Sequence, residues 1–87
     1  MTIYNWLSIK GIILSVILIE DINENFIKMS FRSKGDFDVN HFARKYFNGG
    51  GHINAAGGKS YDDINTTTKK LVERIKENKD KFKNENY

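Results

Sequence analysis

Three consecutive glycines followed by a histidine, Gly49-Gly50-Gly51-His52, are the residues of this sequence best suited to chemistry. Because glycine has no Cβ, successive backbone N–H groups can converge on one oxyanion and form a nest. The imidazole of His52 would add a donor, and a positive charge when protonated. The segment therefore indicates an anion site. The open alternative is that the glycines only end a helix and turn the chain.

Two strands are predicted upstream of this glycine-rich loop. The Ile- and Val-rich run from Gly11 to Ile19 is too short to span a bilayer, and Glu20 and Asp21 follow it instead of a signal-peptide cleavage site. It is therefore predicted to be a buried strand. Residues 26–33 alternate, with Ile27, Met29 and Phe31 on one face and Lys28, Ser30 and Arg32 on the other. This period of two predicts a half-buried strand that pairs with the first as a hairpin.

Two helices complete the predicted fold. Asp38 has the position of an N-cap, with Phe37 and Phe42 spaced as a hydrophobic staple, and the helix is expected to end at the glycines. A second helix is expected from Asp62 or Asp63 to about Phe82. Its apolar stripe comprises Ile64, Leu71, Ile75 and Phe82. The 87 residues thus predict one small α/β domain, a few-stranded sheet with helices packed on one face.

Composition narrows the functional classes. The absence of cysteine excludes disulfides, thiolate zinc sites and cysteine nucleophiles, and is compatible with a cytoplasmic protein. The net charge of +3 arises in the tail, because basic and acidic residues are equal in number from Met1 to Thr68. Phosphate recognition by the folded part must therefore be local, and the basic tail is expected to be a solvated helix face. The two histidines lie on different elements and the acids are scattered, so no two-metal site is predicted.

Three segments resemble a known family. The string GGGHINAAGG at residues 49–58 is similar to the GGGHxxAAG signature of the DHH-associated domain, which ends many DHH-family phosphoesterases. Ser30-Phe31-Arg32-Ser33 resembles the SxRS segment of those domains, and residues 37–43 resemble their FDVxxxA helix start. The match covers residues 11–58, and the order and spacing of its three pieces are specific. The resemblance is greatest to the nanoRNase/phosphoadenosine-phosphate phosphatase and cyclic-dinucleotide phosphodiesterase branches.

This resemblance implies a division of labour. An N-terminal DHH domain of the same chain would bind manganese and activate water, so residues 1–87 would be the substrate-binding part of a larger protein and would bind no cofactor themselves. The expected ligand is a nucleotide or a short single-stranded oligonucleotide, without membrane contact. By analogy, Gly50, Gly51 and His52 would contact the phosphate nearest the metals. Arg32 and Ser33 would hold the nucleotide or the next phosphate. Gly49 and Asn54 complete the candidate set.

Two other functions stay open at this point. The chain could be a stand-alone interaction module without a substrate, or part of a polyphosphate or pyrophosphate phosphatase of the same superfamily. The interaction module is disfavoured if Arg32 and His52 face one exposed cleft. The polyphosphate or pyrophosphate phosphatase should lack a nucleobase-stacking surface near Arg32. Residues 1–7 are either the end of an interdomain connection or an edge element of the sheet.

Overall fold

The computed structural model describes residues 2–9 and 12–86, with side chains described for residues 14–78. Within these ranges the elements follow the order β1 (Thr2–Ile9), β2 (Ile12–Asp21), β3 (Phe26–Lys34), α1 (Val39–Tyr46), β4 (Gly50–His52), β5 (Ala55–Ser60) and α2 (Ile64–Asn86). The predicted α/β class is therefore confirmed. No helix among the described residues is long and apolar enough to cross a membrane.

The strands form one sheet in the order β1-β2-β3-β5-β4, and every neighbouring pair is antiparallel. The predicted β2–β3 hairpin is confirmed, with Asp21 opposite Phe26 next to its turn. The edge-element alternative for residues 1–7 is correct for the described part, because β1 pairs with β2 along the sheet edge. Met1 and Gly11 lie outside the described residues.

Strand alternation divides the sheet into two faces. On β3, Ile27, Met29 and Phe31 are buried, whereas Lys28 and Arg32 are exposed. The buried face packs against apolar residues of both helices and of the segments that flank α1; these are Phe37, Val39, Phe42, Ala43, Phe47, Leu71 and Ile75. Both helices thus cover one face, as predicted, and the opposite face remains open.

Helix α1 begins as its sequence signals predict. The Asp38 carboxylate accepts a hydrogen bond of 3.0 Å from the N–H of His41, and the rings of Phe37 and Phe42 lie 5.5 Å apart. It ends just before the predicted stop at residues 48–51, but the left-handed residue there is not a glycine. Asn48 adopts the left-handed conformation, with a φ of 52°, whereas Gly50 at 158° is close to extended. An asparagine tolerates this conformation because its short polar side chain can form hydrogen bonds with the local backbone.

Helix α2 begins after the predicted cap residue Asp63, which accepts a hydrogen bond of 2.7 Å from the N–H of Thr66. Leu71 and Ile75 are buried as predicted. The sequence pattern did not predict that Thr67 is fully buried. Its hydroxyl can be buried because it forms a hydrogen bond of 2.6 Å with the hydroxyl of Ser60. The helix extends to Asn86, beyond the predicted end, and the side chain of Phe82 lies outside the described ones.

The basic residues of α2 do not form a uniformly solvated face. The Lys70 ammonium lies 5.4 Å from the Phe47 ring centre, and the Arg74 guanidinium lies 5.1 Å from that of Tyr46. Such cation–π contacts join α2 to α1. Lys69 and Lys76 are exposed as expected.

We predict opposite responses to alanine at two adjacent glycines of β5. A Cβ on Gly58 would lie 2.8 Å from the Phe47 carbonyl oxygen, so Gly58→Ala should destabilise the fold by about 1–3 kcal/mol. A Cβ on Gly57 would meet only the Met29 carbonyl oxygen at 3.5 Å. Gly57→Ala should therefore be neutral or stabilise by up to about 1 kcal/mol, since glycine is a poor strand residue. Urea denaturation measures both; equal losses would contradict the packing difference.

The cap of α2 should make stability sensitive to acid. Hydrogen bonds from the backbone and side chain of Thr66 lower the pKa of Asp63 below its ordinary value of 3.8. Because the folded-state pKa is below the unfolded one, the stabilisation is present above pH 3.8 and is lost as pH falls through the folded pKa. The melting temperature of Asp63→Ala should thus be lower than wild type near neutrality and converge with it in acid. Asp62→Ala is the control, and a pH-independent difference would exclude this mechanism.

Candidate functional site

The open face of the sheet carries a groove of about 670 Å³. This volume lies in the range of small-ligand sites. The groove crosses β3 and β5 and reaches the segment before β4. It is lined by Asp21, Phe26, Lys28, Met29, Ser30, Arg32, Asn48, Gly49, Gly50, Gly51, Ala55, Ala56, Gly57, Gly58 and Lys59. Three cationic side chains and one carboxylate line it, so the groove favours anions.

Arg32 and His52 belong to one row across this face. Arg32 pairs with Ala55 from one side and His52 pairs with Ala55 from the other. Side chains at paired positions share a face, and the two strands lie about 10 Å apart. The guanidinium of Arg32 donates to the Phe31 carbonyl at 2.8 Å, and His52 is exposed but is not itself one of the residues that line the groove. Arg32 therefore lines the open groove, and His52 lies next to it, opposite the lining residue Ala55.

The glycines differ in why they must lack a side chain. A Cβ on Gly49, Gly51 or Gly58 would overlap backbone atoms of neighbouring segments, so the fold itself requires these three. The atoms nearest to a Cβ on Gly50 would be those of the Asn40 and Arg44 side chains, at 3.1–3.3 Å, and Gly57 has ordinary space above it. Gly50 and Gly57 pair with each other in the groove. A glycine within a strand often marks a close backbone approach, so these two form the best floor for a ligand.

The predicted nest of amides is wrong in its geometry. Residues 50–52 form strand β4 instead of a loop. Two of the amides are already occupied within the protein: Gly49 N–H donates to the Ala43 carbonyl at 3.2 Å, and Gly51 N–H donates to the Asn40 side-chain oxygen at 2.8 Å. Pairing with β5 imposes the alternation of a strand, which prevents successive N–H groups from converging on one anion.

Ser33 and Asn54 lie away from the groove and hold the fold together. Ser33 is 8% exposed, and its hydroxyl donates to the Phe37 carbonyl at 2.9 Å while it accepts from the Asn54 amide at 2.9 Å. The Asn54 carbonyl also accepts from Ser33 N–H at 3.0 Å. These bonds tie the β4–β5 turn to the end of β3, so the structure does not bring the pair together with Arg32 and His52.

Sequence reasoning missed three basic residues around the groove. Lys28 and Lys59 face each other across β3 and β5. Arg44 lies beside Gly50, and its Nε donates to the Asn40 side-chain oxygen at 3.0 Å. The alternation of β3 already placed Lys28 with Arg32, which was a usable signal. The strand containing Lys59 had no comparable signal, because it consists mostly of alanine and glycine.

Comparisons with known proteins identify the family and the fold of the chain. The family model of the DHHA1 domain matches residues 4–84. The crystal structure of an exopolyphosphatase-related protein from Bacteroides fragilis superposes with a TM-score of 0.74 and 39% sequence identity; the match covers 87% of this chain and 22% of that one. The chain thus spans about a fifth of that neighbour's length, and no curated protein matches it. With 81 of its 87 residues matched, in a fold with a solved counterpart, the chain belongs to the DHHA1 domain family.

Proposed function

We propose that this chain is the substrate-binding domain of a DHH-family phosphoesterase and holds a nucleotide or short single-stranded oligonucleotide by its phosphates. The observation that carries the proposal is the shared row of Arg32 and His52 beside an open, cationic groove. The nanoRNase/phosphoadenosine-phosphate phosphatase and cyclic-dinucleotide phosphodiesterase types are the proposed branches, because the sequence resembles them.

Each groove residue has a distinct role in this proposal. The planar guanidinium of Arg32 can bind two phosphate oxygens at once. His52 donates a hydrogen bond from the opposite border, and its contribution is larger when the imidazole is protonated. Gly50 and Gly57 let the ligand approach the backbone, and Arg44 adds positive charge beside Gly50. Orientation of phosphates is thus the chemistry that these residues can perform.

Bond cleavage requires groups from elsewhere in the proposed larger protein. Among the described residues, no group of three or more His, Cys, Asp or Glu side chains could hold a metal ion. In the proposed arrangement, an N-terminal DHH domain would bind manganese and supply the activated water. The small share of the exopolyphosphatase-related protein that matches this chain, 22%, supports such a division of labour.

Polyphosphate is the second candidate ligand. Two observations favour it: the solved neighbour is exopolyphosphatase-related, and the aromatic residue lining the groove, Phe26, lies six residues along β3 from Arg32. No described aromatic lining residue is therefore beside Arg32 to stack on a nucleobase. The open cationic groove argues against an interaction module without a substrate. NMR titration of the chain with adenosine monophosphate, short RNA and inorganic polyphosphate distinguishes nucleotide binding, polyphosphate binding and an interaction module without a substrate. Unchanged amide chemical shifts around Arg32 and His52 with all ligands would refute phosphate binding.

His52→Ala should weaken phosphate binding without changing stability. The side chain is exposed and makes no described hydrogen bond, so the melting temperature should stay near wild type. Loss of one charge-assisted donor should raise Kd about tenfold or more. In the proposed longer enzyme, turnover should fall about a hundredfold. Ser33→Ala is the contrast: it should lose about 1–3 kcal/mol of stability through the buried hydroxyl. A large stability loss in His52→Ala would make His52 a packing residue.

The 87-residue chain alone should hydrolyse no phosphoester, even with added manganese. Its residues can orient a phosphate but supply no cluster that would generate hydroxide. Binding should be on the order of millimolar, because a few charge-assisted hydrogen bonds must offset the entropy of association. Single-turnover assays with short oligoribonucleotides and phosphoadenosine phosphate test this. Cleavage that copurifies with the chain and is abolished by His52→Ala would contradict it.

A further inference from the structure

A second concentration of positive charge lies in the groove, away from Arg32. Lys28 on β3 pairs directly with Lys59 on β5, and both side chains are exposed on the open face. Side chains at paired positions have Cβ atoms about 4.5–5.5 Å apart, and like charges placed this way destabilise a sheet. The sheet thus carries an electrostatic cost that folding does not explain.

Neither ammonium group is neutralised within the described part of the chain. No described carboxylate lies within salt-bridge distance of Lys28 or Lys59, although Asp21 also lines the groove. Lys59 instead lies 5.2 Å from the ring centre of Phe26, a contact that holds the ammonium without cancelling its charge. The pair is consequently available to an anionic group of a ligand.

The distance between the Lys28–Lys59 pair and Arg32 determines how long such a ligand must be. Lys28 precedes Arg32 by four residues on the same strand, so both point to the same face about 13 Å apart. Between them lie Ser30, whose side chain is small, and Gly57, which has none, so the groove stays open there. The groove is therefore continuous from one cationic end to the other.

We propose that Lys28 and Lys59 form a second phosphate subsite, so that the groove binds an extended ligand with several phosphate groups rather than a mononucleotide. This inference rests on the proposed function, because the first subsite is the one formed by Arg32 and His52. The ligand class is an extended phosphate chain, either phosphodiester-linked nucleotides or inorganic polyphosphate. Tyr61, which is 68% exposed and packs 6.3 Å from Phe26, lies where a nucleobase beyond the pair could stack.

The test compares ligands that differ in length. Adenosine monophosphate, 5′-phosphorylated triadenylate and a short inorganic polyphosphate are titrated into the 87-residue chain, and Kd is measured from amide shifts. The double variant Lys28→Gln/Lys59→Gln should raise Kd for triadenylate about tenfold, and change that for the monophosphate less than about twofold. Arg32→Gln should weaken both. The matched control Lys69→Gln/Lys76→Gln removes the same charge from an exposed face of α2 and should have little effect on either.

Salt dependence gives an independent readout. Each phosphate contact releases counterions, so the lysine double variant should also show a shallower dependence of log Kd on log salt for triadenylate. The melting temperature should stay equal to wild type or rise, because the repulsion between the two lysines is removed. Tyr61→Ala separates the ligand sources: it should weaken triadenylate and leave polyphosphate unchanged if the ligand is a nucleotide, and affect neither if the ligand is polyphosphate.

The two proposals fail in different ways. If Arg32→Gln changes no titration, the proposed phosphate-binding function is overturned. If Arg32→Gln weakens every ligand but the lysine double variant binds triadenylate like wild type, only the second subsite is overturned. An equal loss in the Lys69/Lys76 control would also overturn the subsite, because it would show a general effect of net charge. A selective loss of the longer ligand in the Lys28/Lys59 variant supports it.

Discussion

The backbone contact between Gly58 and Phe47 determines where the rest of the site must lie. The Phe47 carbonyl accepts a hydrogen bond of 2.7 Å from Lys59 N–H, and its position leaves no space for a Cβ on Gly58. The Phe47 ring is buried 5.9 Å from that of Phe31. The end of α1 is thereby held against β5, and the chain that follows must run along that strand. The glycine-rich segment consequently becomes the edge of a sheet instead of a free loop.

The same strand supplies the core and the groove. On β3, Met29 and Phe31 are buried among the helices while Lys28 and Arg32 stand on the opposite face. Any displacement of the groove cations along the sheet would therefore require the core to repack. A site built on strands in this way holds its groups more accurately than a site on loops. For the proposed role of orienting phosphates for groups supplied by another domain, this accuracy is the useful property.

Local sequence patterns predicted the fold more completely than they predicted the candidate site. The alternation in β3, the cap at Asp38 and the staple of Phe37 on Phe42 depend on nearby residues, and all three are confirmed. The β4–β5 pairing depends on contacts distant in sequence, and its alanines and glycines carry no hydrophobic pattern. The family signature marked Ser33 and Asn54 for the site as readily as Arg32. Only the fold shows their mutual hydrogen bond and their position away from the groove.

The side chain of Asn40, which positions Arg44, also caps a backbone donor on the edge strand β4. Its side-chain oxygen accepts the hydrogen bond of Gly51 N–H, a donor that a further strand would otherwise use. Unpaired donors on an edge strand invite other chains to extend the sheet, and proteins prevent this by covering or shortening such strands. Strand β4 has three residues and lies beside α1, and the amide of Asn40 completes the protection. A backbone exposed enough to meet a ligand can thus remain resistant to self-association.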